Sequence, residues 1–476
     1  MRGSFFAAVL GLLLLVMGGL FWYASQQRLP AGLTVSGWHV GGMPFTAFDA
    51  ALDARIAALG RTPVQLRTSA YGLPPLQTTY AQLGVQASAA ELRRQLDGLR
   101  RGTPWERAGE RWRLRHASLE LRVTLPPADL AAALRAAWKP LFEAKPVDAQ
   151  RVITPDDRVT YVAEQTVPRI DAAKLAEALL AAAPKIASLA GERGAGVAIA
   201  DVPLVQEAPR VTVASLRAEG IERKIAQFTT EYVVSSAGRR HNIESTAATV
   251  QDMMLKPGDV FDYAKVIENT QKTFGYQEAP VILDGKIVPG VGGGICQVST
   301  TLYNAVLRSG LEIVERRNHS LPISYVPLGQ DATFSTGYIN FRFRNNTGYG
   351  LLIRTVAANG MLTVKLFGRL PEDISYDIDS KIVKTIEPPV KYVKNSSLRR
   401  GEQRKVLDGK RGFVVETTRI KRQNGKIIGT ELISRDTYSP QPTVIAINSG
   451  ADAGDGEGTE LPAPHVEDGI AGPKFR

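Results

Sequence analysis

The chain has 476 residues, 44% of them hydrophobic and 22% charged, with Lys+Arg 58 against Asp+Glu 47 and a net charge of +11. That composition is globular, with room for about two to four domains, and excludes a disordered or fibrous chain. The single cysteine excludes an internal disulfide and a thiolate-rich metal site, and the basic balance without a basic helix or aromatic–basic platform favours a membrane or polyanionic cell wall over nucleic acid.

Phe5–Ala24 (FFAAVLGLLLLVMGGLFWYA) is an uncharged run of twenty residues, long enough at ~1.5 Å rise per residue to cross a bilayer core. Arg2 ahead of it and Trp22-Tyr23 at its far end predict a single-pass anchor over residues 1–28, N-terminus inside and the remainder exported. No A-x-A-like site follows, so an uncleaved anchor is preferred to a signal peptide. Residues 29–60 read as short strands and a helix capped by Thr46, with the stripe Phe48, Leu52, Ile56 and Leu59. A strand pair is expected over 62–90, a helix over Ala89–Arg101, and strands over 111–125, where His116 reads as a strand surface residue. Pro127–Ala144 is a predicted helix. A turn and two strands follow, then a helix over Asp171–Ala183 and a strand over Gly196–Leu204, an α+β order.

From Ile221 the pattern changes. Ile221–Val234 alternates toward a strand, and Arg239-Arg240-His241-Asn242-Ile243 leads into a helix through Met254. Asp284-Gly285 and Asn359-Gly360 are hairpin signals. Three glycines, Gly292-Gly293-Gly294, run into Cys296, which opens a helix with Val298, Leu302, Ala305 and Val306 at helical spacing and Gly310 as its stop. A strand LEIVERR ends near Asn318-His319-Ser320, an extended LPISYVP follows, and Gly337–Arg344 alternates Ile339, Phe341 and Phe343 against Asn340, Arg342 and Arg344. Lys381–Asn448 is an all-β strip with regularly spaced glycines and an Asn424-Gly425 hairpin. Residues 449–476 are Gly/Ala/Asp/Glu/Pro-rich, have no periodicity, and read as a disordered tail in which His465 is inert.

Three stretches resemble known families. The Lys145–Ala149 turn, the strand pair after it, the helix at 171–183 and Pro209-Arg210-Val211-Thr212 look like the peptidoglycan-binding domain that precedes certain bacterial L,D-transpeptidases. Residues 239–355 resemble the VanW family. The resemblance is carried by Pro257-Gly258-Asp259-Val260-Phe261, Gly275-Tyr276, Ala279-Pro280-Val281-Ile282 and Gly292 through Thr300, then by Leu302-Tyr303-Asn304, Glu315-Arg316, His319-Ser320, Tyr325-Val326-Pro327 and Gly329 through Thr333. Asp262-Tyr263-Ala264 departs from the Ser-Phe-Asn more usual in that family. The last strip looks like the five-glycine domain of cell-surface proteins, which implies binding to N-acetylglucosamine-containing polymers. The expected organisation is α+β and multidomain: an anchor at 1–28, an α+β wall-binding region at 29–218, an α+β VanW-like domain at 219–370, a small all-β domain at 371–448 and the tail at 449–476. The implied setting is the bacterial envelope, with peptidoglycan or a related anionic wall polymer as partner; no reaction comes with the family name.

A cysteine at a helix N-terminus sits where free N–H groups and the helix dipole favour a thiolate. A nucleophile also needs a base and an orienting acid, and the candidates in chain order are His319 and Asp331. A helix-borne cysteine followed by a strand-borne histidine and a carboxylate is similar in order to transglutaminase-like and NlpC-type cysteine peptidases. In such a site the N–H groups of Gly292–Cys296, with Gln297 as a further donor, would hold an oxyanion, and Gly292, Gly293, Gly294, Arg316 and Tyr325 would bind substrate. The alternative is a scaffold in which Cys296 packs as a small hydrophobe, His319 is a satisfied core histidine and Asp331 makes a turn. His241, His319 and two carboxylates lack recognisable ligand spacing, so neither a metal nor a cofactor is expected. Arg239, Arg240, Arg316 and Arg317 offer charge to carboxylates or phosphates of the wall.

Overall fold

The computed structural model describes residues 2–189, 196–283, 286–448 and 466–471. Arg2–Ala24 is one helix, and Phe6–Ala24 within it is long and apolar enough to cross a membrane. The chain gathers into two compact units, one of residues 1–148 with 164–210, the other of 149–163 with 211–476.

The first unit has two apolar clusters. One surrounds Leu33, Val40, Phe48, Leu52 and Leu114; the other surrounds Val64, Leu66, Tyr80, Leu130, Trp138 and Leu179. The helix Phe45–Arg61 presents Phe48 and Leu52 as the spacing predicts, but it begins after Pro44, so Thr46 lies inside the helix instead of capping it. The strands expected from 111 onward start later. Pro104–Leu114 is a helix because Thr103 and Glu106 form a reciprocal capping box and Pro104 suits the first turn. The period-2 reading of Arg111–Arg115 missed it because that cap lies upstream.

The strands Gln150–Ile153 and Val159–Val162 pair as a hairpin, as expected, but belong with the second unit. Asp157 at their turn receives Lys224 and Lys365, each at 2.6 Å, and Arg151 donates to the Leu216 carbonyl at 3.0 Å. Long-range ion pairs thus move a segment that chain order had put with the N-terminal region.

The centre of the second unit is a four-stranded antiparallel sheet in the order Arg223–Glu231, Met361–Gly368, Leu351–Ala358, Met253–Leu255. Asn359 and Gly360 both take positive φ, 54° and 74°, so the hairpin signal there is realised. The helix Ile295–Leu307 lies against this sheet and the helix Ala237–Val250, and all of its residues are buried. The expected single apolar stripe is therefore only one side of a helix enclosed all round. Its polar residues bond within the helix and to the loop above it: Thr301 to the Gln297 carbonyl at 2.6 Å, Asn304 to the Thr300 and Gln330 carbonyls at 2.9 and 2.7 Å. Phe261, Phe341 and Phe343 close the core, as the alternation in Gly337–Arg344 predicts, although the regular strand is only Arg342–Arg344.

Beyond Gly368, the long strands Ile374–Ile386, Gly412–Gln423 and Lys426–Tyr438 form one sheet, and Val390–Lys394, Thr443–Ile447 and Gln403–Leu407 another. The Asn424-Gly425 turn has φ of 50° and 77° and joins paired Gln423 and Lys426. Strands Glu278–Leu283 and Lys286–Val291 pair antiparallel; Asp284-Gly285 between them lies outside the described residues. The tail differs from its expected lack of structure over Val466–Ala471, which returns as an ordered segment and pairs Glu467 with Ile282 and Val466 with Leu283.

Candidate functional site

The glycine run builds a tight corner. Gly292 and Gly294 take φ of 88° and 106°, where a side chain is strained. Gly293 is excluded from bearing one for another reason: a Cβ would sit 2.2 Å from the Pro280 carbonyl oxygen. Gly294 caps the cysteine helix without a side chain, leaving its first N–H groups free for an outside acceptor. That acceptor is Asp468 of the returning tail. Its Oδ1 receives the Gly294 and Cys296 N–H groups at 3.1 and 2.8 Å, and its Oδ2 receives Arg239 at 3.0 Å. A second Arg239 nitrogen donates to Gln297 Oε1 at 3.0 Å, and the Gln297 amide donates to Thr230 Oγ1 and the Glu231 carbonyl at 3.0 and 2.9 Å. Gln297 therefore orients Arg239. It does not point as a free donor.

Cys296 has no solvent exposure. Its Sγ accepts the Phe334 N–H at 3.0 Å and lies 3.6 Å from the Phe334 carbonyl oxygen. Burial pushes the thiol pKa well above the ordinary cysteine value, and the negative charge of Asp468 pushes it further the same way. The carboxylate sits where the helix N-terminus would otherwise favour a thiolate, so the thiol stays protonated.

His319 and Asp331 do meet. Asp331 Oδ2 receives both the His319 backbone N–H, at 2.6 Å, and ring Nδ1, at 2.7 Å. Burial alone would lower the histidine pKa, but the Asp331 hydrogen bond and charge outweigh it and the net shift is upward. Burial likewise opposes ionisation of Asp331, yet His319, Arg316 and Tyr438 hold its pKa down at about 2. Both residues lie in irregular segments, not on strands, because the strand before them ends at Glu315. His319 Nε2 is buried without a hydrogen-bond partner among the described residues.

Arg316, expected to bind substrate, is instead 4% exposed at its side chain. It donates to both Asp436 carboxylate oxygens at 2.7 and 2.6 Å and to the Asp331 carbonyl at 2.6 Å. Tyr438 donates to Asp331 Oδ1 and accepts the Gly329 N–H at 2.7 Å. The histidine–aspartate pair is thus part of a buried polar seam that joins the central domain to the following β strands.

The expected residues fall into two groups. His319, Asp331 and Arg316 share one network; Gly294 and Gln297 share another with Arg239 and Asp468, while the Gly292 N–H donates to the Gln277 carbonyl and the Gly293 carbonyl accepts from Asn242. No hydrogen bond among the described residues links Cys296 Sγ to His319; the sulfur faces Phe334. Tyr325 lines a cleft of about 740 Å³ with Thr230, Glu231, Arg239, Gln297 and Asp468. Among the described residues no three His, Cys, Asp or Glu side chains gather as a metal-ligand set. Asp468 is the residue that sequence reasoning missed. Its one local signal is Val466-Glu467-Asp468-Gly469-Ile470, where apolar residues bracket two adjacent acids.

Residues 238–367 match the family described as VanW like protein, and residues 379–449 match the G5 domain. The C-terminal half of the chain therefore carries a VanW-like domain followed by a G5 domain. Over 174 residues the chain is 37% identical to "Uncharacterized protein YoaR" of Bacillus subtilis (strain 168), covering 37% of this chain and 57% of that one. Over 111 residues it is 32% identical to "Vancomycin B-type resistance protein VanW" of Enterococcus faecalis, covering 22% of this chain and 40% of that one. The chain thus spans about half the length of these relatives. Among solved structures it is similar to the "IgA1 Protease G5 domain structure" (25% identity, TM-score 0.14, 16% of this chain and 88% of that one). It is also similar to "HP0197-G5" (19% identity, TM-score 0.12, 15% and 97%).

Proposed function

We propose that this chain, with its VanW-like and G5 domains, is a membrane-tethered envelope protein that binds peptidoglycan or a related anionic wall polymer and does not cut it. The tether is the Arg2–Ala24 helix, with the N-terminus inside and the folded units outside. The 29–218 region contributes wall binding, the G5 domain contributes polymer binding, and the net charge of +11 suits an anionic matrix. The observation that carries this reading over a catalytic one is the state of Cys296. Its sulfur is buried against the Phe334 backbone, its thiol is held protonated, and no base among the described residues is bonded to it.

The test is sedimentation with purified peptidoglycan sacculi. The wild type and Cys296→Ser are expected to co-sediment equally, and removal of Phe6–Ala24 is expected to free the protein from the membrane fraction while sedimentation persists. Failure of the wild type to sediment refutes the reading.

A second reading, a thiol amidase or transpeptidase using Cys296, His319 and Asp331, is favoured by one feature: an aspartate-held histidine whose Nε2 has no partner among the described residues. It requires turnover of muropeptides that Cys296→Ala abolishes. It also requires half-maximal alkylation of Cys296 well below the free-cysteine pKa of about 8.5. A thiol inert in the native protein and labelled only on unfolding removes it.

A further inference from the structure

We infer that the groove between the strand Glu278–Leu283 and the start of the cysteine helix is a site for an acidic, extended peptide, and that Val466–Ala471 is its tethered occupant. The inference rests on the wall-binding reading above and gives it a ligand class: a peptide segment presenting a carboxylate, which must displace the chain's own tail to bind.

The groove treats the tail as a ligand. Backbone pairing holds its two ends: Val466 and Glu467 add to the strand Glu278–Leu283, while Ile470 N–H donates to the Val291 carbonyl at 2.8 Å and Val291 N–H to the Ala471 carbonyl at 2.9 Å. This is strand addition, the usual way an extended peptide is bound by main-chain hydrogen bonds. Between those ends the Asp468 carboxylate is received by two helix N–H groups and Arg239, a cradle in which every donor is itself positioned. A second acid, Glu467, is read by the Ser320 N–H and hydroxyl at 2.9 and 3.0 Å.

The glycines leave room for this occupant. A Cβ at Gly290 would lie 2.6 Å from the Ala471 carbonyl oxygen, and one at Gly292 would lie 3.3 Å from the Ile470 nitrogen. Asp468 also lines the cleft that holds Arg239, Gln297 and Tyr325. His319, with Nε2 unpartnered, feels the charge of both Glu467 and Asp468. A fully buried ring nitrogen without a partner among the described residues, under the charge of both tail carboxylates, is a second mark of a ligand site beside the helix terminus.

Tethering makes the tail a competitor at an effective concentration on the order of mM for a short linker. The intact chain is then expected to bind free peptide weakly.

The test keeps every residue of the protein. A protease site is placed within 449–465 of the full chain and cut after folding, and binding of a fluorescein-labelled Val-Glu-Asp-Gly-Ile-Ala peptide is followed by anisotropy. The nicked protein is expected to exchange its tail for the labelled peptide and the intact protein to bind it at least tenfold more weakly. The same peptide carrying Asp468→Asn is expected to lose tenfold or more in affinity. The inference is overturned if the nicked protein, melting as before, binds no peptide at mM concentration. It is also overturned if the Asp and Asn peptides bind alike, or if nicking collapses the fold and added peptide does not restore it. Sacculus sedimentation of the intact chain, run alongside, reports on wall binding separately: its loss refutes that reading whatever the peptide does.

Discussion

Replacing Asp331 by Asn tests the polar seam most directly. The substitution keeps the shape of the side chain and removes its charge. In the wild type that charge faces the His319 ring at 2.7 Å, the His319 N–H at 2.6 Å, Arg316 at 3.3 Å and the Tyr438 hydroxyl, all inside the protein. Lowering of the Asp331 pKa from its ordinary 3.8 to about 2 corresponds to about 2.5 kcal/mol of folded-state preference for the carboxylate. Stripping His319 of its partner adds to this, because breaking one member of a buried ionic network costs about 3–5 kcal/mol. Arg316 keeps Asp436, which places Asp331→Asn at the low end, about 3 kcal/mol. For a unit of this size the Tm of the second unit should fall by about 6–12 °C at pH 7.

The pH dependence follows from the same pair. A carboxylate with a depressed folded pKa stabilises above its unfolded value and loses that contribution as pH falls through the folded one. The gap between wild type and variant should therefore narrow below pH 4 and nearly close by pH 2. His319 has a raised pKa, so its contribution is full below about 6.5 and fades as pH rises through the folded value. In the variant the Asp331 bond and charge are gone and burial is opposed only by the charges of Asp468 and Glu467, so that alkaline decline should shrink. Thermal melts followed by circular dichroism across pH 2–9 measure both. A Tm shift under about 2 °C, or a gap constant down to pH 2, refutes the assignment of Asp331 as the ionised centre of the seam.

Three further outcomes are expected. Gly294→Ala forces a side chain onto φ of 106° with its Cβ 2.9 Å from Arg239 Cγ, and should cost about 2 kcal/mol in denaturant melts; an unchanged midpoint contradicts the close approach. Asp157→Ala removes the acceptor of Lys224 and Lys365 from a largely buried site. It should cost about 1–2 kcal/mol and speed hydrogen exchange across 150–162 ahead of the rest of the sheet, and uniform exchange would show that the hairpin is held otherwise. Arg239→Gln should weaken labelled-peptide binding to the nicked protein by tenfold or more, since the carboxylate loses its counter-charge. Equal binding would leave the two helix N–H groups as the whole cradle.

Much of the architecture was legible because it is written locally. Asn359-Gly360 and Asn424-Gly425 specify their hairpins within two residues, since both positions need positive φ. The glycine run announces a corner before a helix, and the alternation of Ile339, Phe341 and Phe343 announces a buried face. Local reading failed where a partner lies far along the chain. The 150–162 hairpin follows the N-terminal region in chain order, yet Asp157 pairs with Lys224 and Lys365 of the later sheet. The capping box at Thr103 and Glu106 is a local signal, masked by the alternation just downstream. The candidate triad was half legible. The order of Cys296, His319 and Asp331 is visible in the text, but the direction of a buried sulfur depends on which backbone packs above it, and that is Phe334.

The sequence alone determines an apolar helix able to cross a membrane, a cysteine at a glycine-built helix start, and a glycine-punctuated β strip at the end. Each is a property of side-chain type and spacing within a few residues, where backbone preference and hydrophobic period act. Tertiary structure alone decides that the cysteine helix is buried on every side, that His319 and Asp331 join a seam with Arg316 and Asp436, and that Asp468 returns across 174 positions of chain to Gly294. Those outcomes depend on which distant groups burial forces to find a hydrogen-bond partner, and no short window of sequence contains both members of such a pair.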